Sequence, residues 1–163
     1  MTRKVFVLNG PNLNLLGRRE PEIYGRLTLD DLARQCAGAG RQQGLEVEFR
    51  QTNHEGQLVD WIQEAIDVAK GIIINAAAYT HTSVAIHDAL RAYPGLKIEL
   101  HISNPHLRET FRHISYVSPV VDGIVAGLGV SGYALSVRLM ADLLDRPAPD
   151  PASRTAAGQN IGP

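Results

Sequence analysis

The sequence is poor in cysteine, in lysine and in net charge. Its single cysteine, Cys36, excludes an internal disulfide and a zinc site built on several cysteines. A formal net charge of -1 at pH 7 gives no electrostatic attraction to nucleic acid or to an anionic membrane surface, so neither is expected as a partner. Because no apolar run approaches the roughly 20 residues that span a bilayer, we expect no transmembrane segment.

Several catalytic motifs are also missing. The sequence has no GxSxG elbow, which disfavours a serine hydrolase, and no HExxH motif. The spacing of His81 and His87 would place them on opposite sides of a helix, so we expect no metal site. The lysines all lie near the amino ends of predicted strands, on the wrong side of a parallel sheet for a Schiff base. These lysines are Lys4, Lys70 and Lys97.

The overall composition indicates one soluble globular domain. The 163 residues are 44% hydrophobic and 20% charged. We assign residues 1–145 to this domain. Residues 146–163 are rich in Pro, Ala and Gly without an apolar period, which predicts a disordered tail. The first predicted strand begins almost at the amino terminus and leaves no room for a signal peptide, which predicts a cytoplasmic protein.

Apolar periodicity predicts strands and helices in alternation. Thr28 is the predicted N-cap of the first helix and Asn53 that of the second. The second helix has an apolar face formed by Leu58, Ile62, Ala65, Ile66 and Ala69. Strands are predicted at residues 5–8, 47–52, 71–76, 98–103 and 123–126, and helices at 27–43, from Asn53 to Ala69, and at 82–92, 107–112 and 133–145.

This alternation predicts an α/β fold. We expect a flavodoxin-like three-layer sandwich, with a five-stranded parallel sheet and helices on both faces. Ligands bind to such sheets beyond the carboxyl ends of the strands. The unusual polar residues cluster in the segments that follow the strands, namely residues 9–24, 52–54, 75–81, 101–112 and the region of Gly127.

The first of these segments is unusually long. About twenty residues separate the first strand from the first helix, where a short connection is usual. The loop carries Tyr24 together with Arg18 and Arg19. A nearby guanidinium favours the phenolate form of tyrosine, which can remove a proton next to a carbonyl. The loop is either a disordered insertion or an active-site lid, and its residue types favour the lid. The alternative for Tyr24 itself is a surface tyrosine packed on a proline-containing loop.

The fourth predicted strand carries Glu99, His101 and Ser103 at alternate positions, which predicts that their side chains point to one side. Glu99 could fix the tautomer of His101 and raise its proton affinity, which suits a general acid. The alternative is a hydrogen-bonded pair with a purely structural role at the end of the sheet.

Other polar residues are expected near the same edge. Asn12, Asn75 and Ser103 suit a polyhydroxylated substrate or a bound water, although amides after strands also form turns and caps. Arg108 and Arg112 lie four residues apart on the predicted short helix, and either could bind a carboxylate through two hydrogen bonds. The alternative for this pair is a solvated helix face.

The segment Gly127–Gly132 matches the dinucleotide pattern GxGxxG and lies between a strand and a helix. That pattern requires an acidic residue at the end of a following strand, and no further strand is predicted here. We therefore interpret the segment as a tight junction between strand and helix. A flavodoxin-like module that binds a nucleotide or flavin through these glycines is the alternative function.

Four segments together resemble the type II 3-dehydroquinate dehydratases in order and spacing. They are NGPNLNLLGRREPEIYG at 9–25, QTNHEGQLVDWI at 51–62, NAAAYTHTS at 75–83 and ELHISNPHLRE at 99–109. The resemblance runs from about Lys4 to Leu144. It implies the reversible dehydration of 3-dehydroquinate to 3-dehydroshikimate in the shikimate pathway, through an enolate and without cofactor or metal.

The resemblance also implies a role for individual residues. Tyr24 would remove a proton beside the ketone, and His101 would protonate the departing hydroxyl. Arg19 would lower the proton affinity of Tyr24, Asn12 would orient a water at the enolate oxygen, and Glu99 would orient His101. The substrate would be held by Asn75, His81, Ile102, Ser103 and Arg112.

One implied role goes beyond a single chain. Asp88 follows His87 on a predicted helix and is most simply a surface acid. In the family that the sequence resembles, the matching acid reaches the site of a neighbouring subunit. The resemblance therefore implies a homo-dodecamer, a tetramer of trimers, acting on a small-molecule substrate.

Overall fold

A computed structural model gives the structure of the chain and describes residues 2–18, 22 and 26–147. Its five strands form one sheet in which all neighbours are parallel. The order is β2-β1-β3-β4-β5, which confirms the flavodoxin-like prediction. The strands are β1 (Arg3–Asn9), β2 (Leu45–Gln51), β3 (Gly71–Asn75), β4 (Leu96–His101) and β5 (Gly123–Ala126).

Helices cover both faces of this sheet. They are α1 (Leu29–Gln42), α2 (Glu55–Val68), α3 (Val84–Ala92) and α4 (Ser131–Asp145). α1 packs beside α4 on one face, and α2 packs beside α3 on the other. The start of α1 follows the sequence prediction, because Thr28 and Asp31 form a capping box that satisfies the free backbone N–H groups. In the described part of the chain, no helix has the length and apolarity needed to cross a membrane.

The core lies on both sides of the central strands. Along β1, Val5 and Val7 face the α1–α4 layer, whereas Phe6 and Leu8 face the α2–α3 layer. All five residues of β3 are buried, as the continuous apolar run predicted for a strand covered on both faces. Packing on both faces therefore fixes the central strands, from whose carboxyl ends the loops leave.

Two predictions on α2 were wrong. Its N-cap is His54 and not Asn53, and no side chain caps it. The Asn53 carboxamide oxygen instead accepts hydrogen bonds from Asn12 N and Gln51 Nε2, so it faces the β1 loop. The apolar face of α2 is also narrower than predicted, because Ile66 is 43% exposed.

The region after β4 differs most from its prediction. The strand ends at His101, so Ser103 lies beyond it. The predicted helix at 107–112 is replaced by two 3-10 turns, Pro105–Leu107 and Thr110–Arg112. The extended backbone of Arg108 separates the two turns and prevents a continuous helix.

The glycine segment after β5 is a strand–helix junction, as predicted. Gly127 and Gly129 have φ values of 81° and 64°, which suit glycine. The N–H of Gly127 donates to Ser103 O, and that of Gly129 donates to Ile102 O. The junction therefore holds the backbone that follows β4, and β5 is the last strand within residues 26–147.

Two predictions concern residues that the structure does not describe. The tail prediction falls mostly on residues 148–163, which lie outside the described part. Arg19 and Tyr24, the arginine and tyrosine of the predicted lid, also lie outside it.

Candidate active site

A cleft of about 210 Å³ opens at the carboxyl edge of the sheet. Its walls come from residues 11–16 after β1, residues 75–81 at the end of β3, and residues 101–112 at the end of β4. This is the edge at which open parallel sheets bind ligands. Of the predicted site residues, the cleft brings together Asn12, Asn75, His81, His101, Ile102, Ser103 and Arg112.

His101 and Glu99 form a buried pair beside the cleft. The strand pleat places both side chains on the same side of β4, and His101 Nε2 lies 2.7 Å from Glu99 Oε1. The side chain of Glu99 is 1% exposed and that of His101 is 11% exposed. The prediction that these two residues point to one side is confirmed.

Glu99 is held as a carboxylate. Burial raises the pKa of Glu99, but hydrogen bonds from His101 and Ser118, with the charge of His101, outweigh it and leave the pKa below its ordinary value of 4.5. A carboxylate only accepts hydrogen bonds, so His101 Nε2 carries the proton that they share. The other ring nitrogen of His101, Nδ1, has no partner among the described residues and is left for a ligand in the cleft.

His81 lies against His101 in the cleft. Their ring centroids are 6.5 Å apart and the rings are nearly parallel. His81 Nδ1 lies 2.7 Å from Ile114 O, and because a carbonyl only accepts, Nδ1 carries a proton there. Burial, together with the charges of His101 and Arg112, lowers the pKa of His81. A neutral His81 therefore presents Nε2 as a hydrogen-bond acceptor.

Asn12 enters the cleft from a left-handed backbone conformation, with φ of 69°. Asparagine tolerates this region better than most residues. Its backbone N–H donates to Asn53 Oδ1 at 3.0 Å, and its carbonyl accepts from Leu15 N. Gly10, two residues earlier, has no substitute, because a Cβ there would lie 2.4 Å from Ala76 O.

Asn75 has less freedom than a simple substrate-binding amide. Its Nδ2 donates to Tyr133 OH at 3.0 Å, and its Oδ1 accepts from Ala77 N at 3.2 Å. Tyr133 OH in turn donates to Asn9 Oδ1 at 2.7 Å. This buried network, Asn9–Tyr133–Asn75, also supports the positive φ of 52° at Ala77.

The opposite wall of the cleft is cationic. Arg108 and Arg112 both line it, although they lie on separate turns instead of one helix face. Arg108 Nη1 donates to Ser103 Oγ at 3.3 Å, and Arg112 Nε donates to Glu109 Oε2 at 2.8 Å. Two guanidinium groups beside a serine hydroxyl form a suitable site for a carboxylate.

Asp88 does not reach the cleft of its own chain, and Glu99 lines the second cavity behind His101. Asp88 lies exposed on α3 and does not line the cavity.

Cys36 is buried, and burial raises the pKa of its thiol to about 12, so it is not a nucleophile. Within the described residues, no cluster of three His, Cys, Asp or Glu side chains is placed to hold a metal ion.

Sequence reasoning missed the residues that support the site. Ser115 and Ser118 donate to Glu99, and Asn53 fixes Asn12. The serines lie near the end of the long connection from β4 to β5, well beyond the segment that directly follows a strand. No periodicity marks them, and Asn53 has the residue type and position of a helix cap. Only the folded chain shows these contacts.

The family model described as dehydroquinase class II matches residues 3–141. The chain belongs to this family. Class II dehydroquinases of known structure include the type II dehydroquinase from Propionibacterium acnes, which is 49% identical with a TM-score of 0.84 and is matched over 98% of its length and 87% of this chain.

Curated relatives are similar along nearly their whole length. A protein of Rhizobium johnstonii named 3-dehydroquinate dehydratase is 54% identical over 143 residues, which is 88% of this chain and 99% of the relative. A protein of Cereibacter sphaeroides with the same name is 58% identical over 143 residues, which is 88% of this chain and 97% of the relative. The class II dehydroquinase match ends before the tail.

Proposed function

We propose that the chain is a 3-dehydroquinate dehydratase, which converts 3-dehydroquinate reversibly to 3-dehydroshikimate in the shikimate pathway that leads to aromatic amino acids. The names of its relatives support this activity. The observation that carries it is the His101–Glu99 pair, in which a charged acceptor fixes one ring nitrogen and leaves the other for the cleft.

The reaction needs one base and one acid. Tyr24, assigned by resemblance, takes a proton from the carbon beside the ketone, and the electron pair moves to the ketone oxygen as an enolate. Arg19 stabilises the phenolate form of Tyr24. When the enolate collapses, the new carbon–carbon double bond forms and the hydroxyl leaves. His101 gives this hydroxyl its proton and water is released. Over a full cycle, the proton that Tyr24 takes from the substrate balances the proton that His101 gives up, and both residues return to their starting states.

The geometry favours His101 as the acid. Proton transfer from a positioned side chain contributes typically about 10²- to 10⁴-fold to a rate. Glu99 keeps the ring of His101 in one orientation through the contact with Nε2. Asn12, on its fixed turn, orients a water against the enolate oxygen.

The remaining cleft residues bind the substrate. Arg112, Ser103 and the backbone at Ile102 suit the carboxylate and neighbouring hydroxyls, because they supply donors on the cationic wall. His81 accepts a hydrogen bond from a substrate hydroxyl at Nε2. Asn75 contacts the substrate from the opposite wall. No step in this scheme uses a cofactor or metal, and we place the enzyme in the cytoplasm.

We further infer that Asp88 acts in the site of a neighbouring subunit within a trimer, four of which form a dodecamer. Asp88 lies exposed outside its own cleft. Large apolar side chains are also exposed around the β4–β5 side of the chain, such as Leu107 at 84%, Phe111 at 62% and Ile114 at 64%. Contact with another copy would cover them.

The activity is tested by incubating the purified full chain with 3-dehydroquinate and following the ultraviolet absorbance of the conjugated enone. We expect steady formation of product in the wild-type chain. His54→Ala should form product at the wild-type rate, since His54 lies exposed at the start of α2 without a side-chain cap bond. Absence of product at high enzyme concentration would contradict the proposal.

The subunit-crossing role of Asp88 is tested by mixing two defective variants. His101→Ala and Asp88→Ala subunits, unfolded and refolded together, would form some sites with an intact His101 from one chain and an intact Asp88 from another. We expect partial recovery of activity. The control mixture, His101→Ala with Ser103→Ala, has both defects in residues of the same cleft and should recover nothing. Equal activity in both mixtures would reject a role for Asp88 across subunits.

A further inference from the structure

Glu99 is surrounded by hydrogen-bond donors from two directions. His101 Nε2 approaches Oε1 from the same strand at 2.7 Å. Ser115 Oγ donates to the same oxygen at 2.8 Å, and Ser118 Oγ donates to Oε2 through a short hydrogen bond. The carboxylate is 1% exposed, so these contacts and not solvent stabilise its charge.

The hydrogen bonds that the Ser115 hydroxyl accepts fix the direction in which it donates its own proton. Its Oγ accepts from the backbone N–H of Val117 at 3.1 Å and from that of Ser118 at 2.9 Å. A hydroxyl has two acceptor positions and one proton, and both acceptor positions are used. The proton therefore points to Glu99, and Ser115 cannot accept a proton from a protonated Glu99.

The segment that carries the serines is itself anchored to the wall of the cleft. Tyr116 N donates to Thr80 O at 2.8 Å. His81 Nδ1 donates to Ile114 O, and His87 Nδ1 donates to Tyr116 O, both at 2.7 Å. These bonds anchor the two neighbours of Ser115, Ile114 and Tyr116, to residues 80–87, which favours a fixed position for the serine hydroxyls.

We propose that Ser115 and Ser118 are positioning residues, which keep Glu99 a fixed acceptor so that His101 holds its proton on Nε2 and reacts through Nδ1. This inference rests on the proposed function only for its kinetic consequence. With two hydroxyl donors on the carboxylate, Glu99 does not take the proton of His101, and the proton that His101 releases leaves from the nitrogen that faces the cleft.

Other charged and titratable groups face this pair and are shared by all variants that test it. His81 stacks on His101, and Arg112 lines the cavities on both sides of the ring. His106 and His113 line the second cavity together with Glu99. A change confined to the serines leaves these groups in place, so any altered pH dependence reports on Glu99.

The central test is Ser118→Ala, compared with Ser118→Thr and with Ser136→Ala. Ser136 is a matched control because it is fully buried on α4 and its hydroxyl has no partner among the described residues. We expect Ser118→Ala to lower kcat by roughly tenfold with little change in KM, as for loss of one hydrogen bond to a charged group. We expect the low-pH limb of kcat to move to higher pH, since Glu99 then protonates more readily. Ser118→Thr should restore both.

A second measurement does not depend on turnover. The ¹⁵N chemical shifts of His101 report which ring nitrogen carries the proton in the neutral ring. The wild-type chain should show the Nε2–H form, and the Ser115→Ala/Ser118→Ala double variant should show a mixture of both forms. Thermal unfolding of each variant establishes that it is folded.

The outcomes separate the two proposals. An unshifted pH profile with wild-type kcat in Ser118→Ala would overturn the positioning role. So would a fall in kcat that Ser118→Thr does not restore while the His101 tautomer stays unchanged, because that pattern indicates a purely structural role. If the wild-type chain gives no product, the proposed function fails, and the tautomer of His101 then decides the serine assignment alone.

Discussion

The two walls of the cleft are built on different principles. The wall after β1 and β3 carries amides and the neutral His81, and its amides bond chiefly to the protein, as in the network of Asn9, Tyr133 and Asn75. The wall after β4 carries two guanidinium groups and His101, which keeps one nitrogen free of any described partner. We therefore expect the neutral wall to set the shape of the cleft and the charged wall to carry its reactive group.

His101→Ala should have the largest effect on activity. It removes the proposed acid from the charged wall, so kcat should fall by about 10³-fold or more while the substrate affinity changes little. Steady-state kinetics and a direct binding measurement check this. His106→Ala is a control in the same connection after β4, since His106 lines the second cavity and not the cleft. Equal losses in both variants would mean that the effect is not specific to His101.

Glu99→Gln should have the next largest effect. The amide carries no charge, and its NH2 group would face the N–H of His101 or the hydroxyl of Ser115 or Ser118, which are themselves donors. We therefore expect kcat to fall by roughly 10- to 100-fold. Rates measured across pH would show it. Glu55→Gln, on the first turn of α2 away from the cleft, is the control. A rate near that of the wild type would remove Glu99 from the mechanism.

Glu99→Gln should also change how the free energy of unfolding depends on pH. The folded-state pKa of Glu99 lies below its ordinary value of 4.5. Its charge therefore stabilises the fold above about pH 4.5, and this contribution is lost as the pH falls through the folded-state pKa. Urea unfolding should show a smaller loss of stability on acidification for Glu99→Gln than for the wild type. Identical slopes would contradict it.

Asn53→Ala tests whether shape on the neutral wall depends on a residue outside it. The change removes the acceptor of the Asn12 N–H and leaves the left-handed turn with only the hydrogen bond from Leu15 N to Asn12 O. We expect kcat to fall by roughly tenfold through misplacement of Asn12. Asn14→Ala is the matched control, because its side-chain contact with Gln51 is long at 3.5 Å. A larger effect from Asn14 would reverse the assignment.

Tyr133→Phe should alter activity least and stability most. It leaves the side chains of Asn9 and Asn75 short of a buried partner, at a cost of about 1–3 kcal/mol in the free energy of unfolding. The rate should change only severalfold. Tyr93→Phe is matched, because it removes a buried hydrogen bond to Ala69 O at the other end of the sheet. We expect both variants to lose similar stability and only Tyr133→Phe to change the rate. Equal rates in the two variants would contradict a role for the Asn9–Tyr133–Asn75 network in shaping the cleft.

Sequence reasoning predicted the fold because apolar periodicity is a local property. The buried run of β3 and the Thr28 cap of α1 were both recognised from neighbouring residues alone. It also predicted that Glu99 and His101 share one side, since a strand alternates with a period of two. The lid role of Arg19 and Tyr24 stays a prediction, because both lie outside the described residues.

The supporting contacts are not local and could not be predicted in this way. Ser118 reaches Glu99 across 19 positions, and Asn53 reaches Asn12 across 41. Tyr133 meets Asn9 across 124 positions. Nothing in the residues around Ser118 or Tyr133 marks either as a partner of the site. The predicted helix at 107–112 was wrong because the backbone of Arg108 is extended, and nothing in the neighbouring residues marks that break.

The connection between β4 and β5 has an evolutionary consequence. This one contiguous stretch of residues 102–122 carries the arginines of the cationic wall, Arg108 and Arg112, and the serines that hold Glu99. The proposed roles of these residues place ligand preference and the setting of His101 in one continuous stretch. A single exchange of this stretch between homologues would transfer both traits at once, and drift in one would constrain the other.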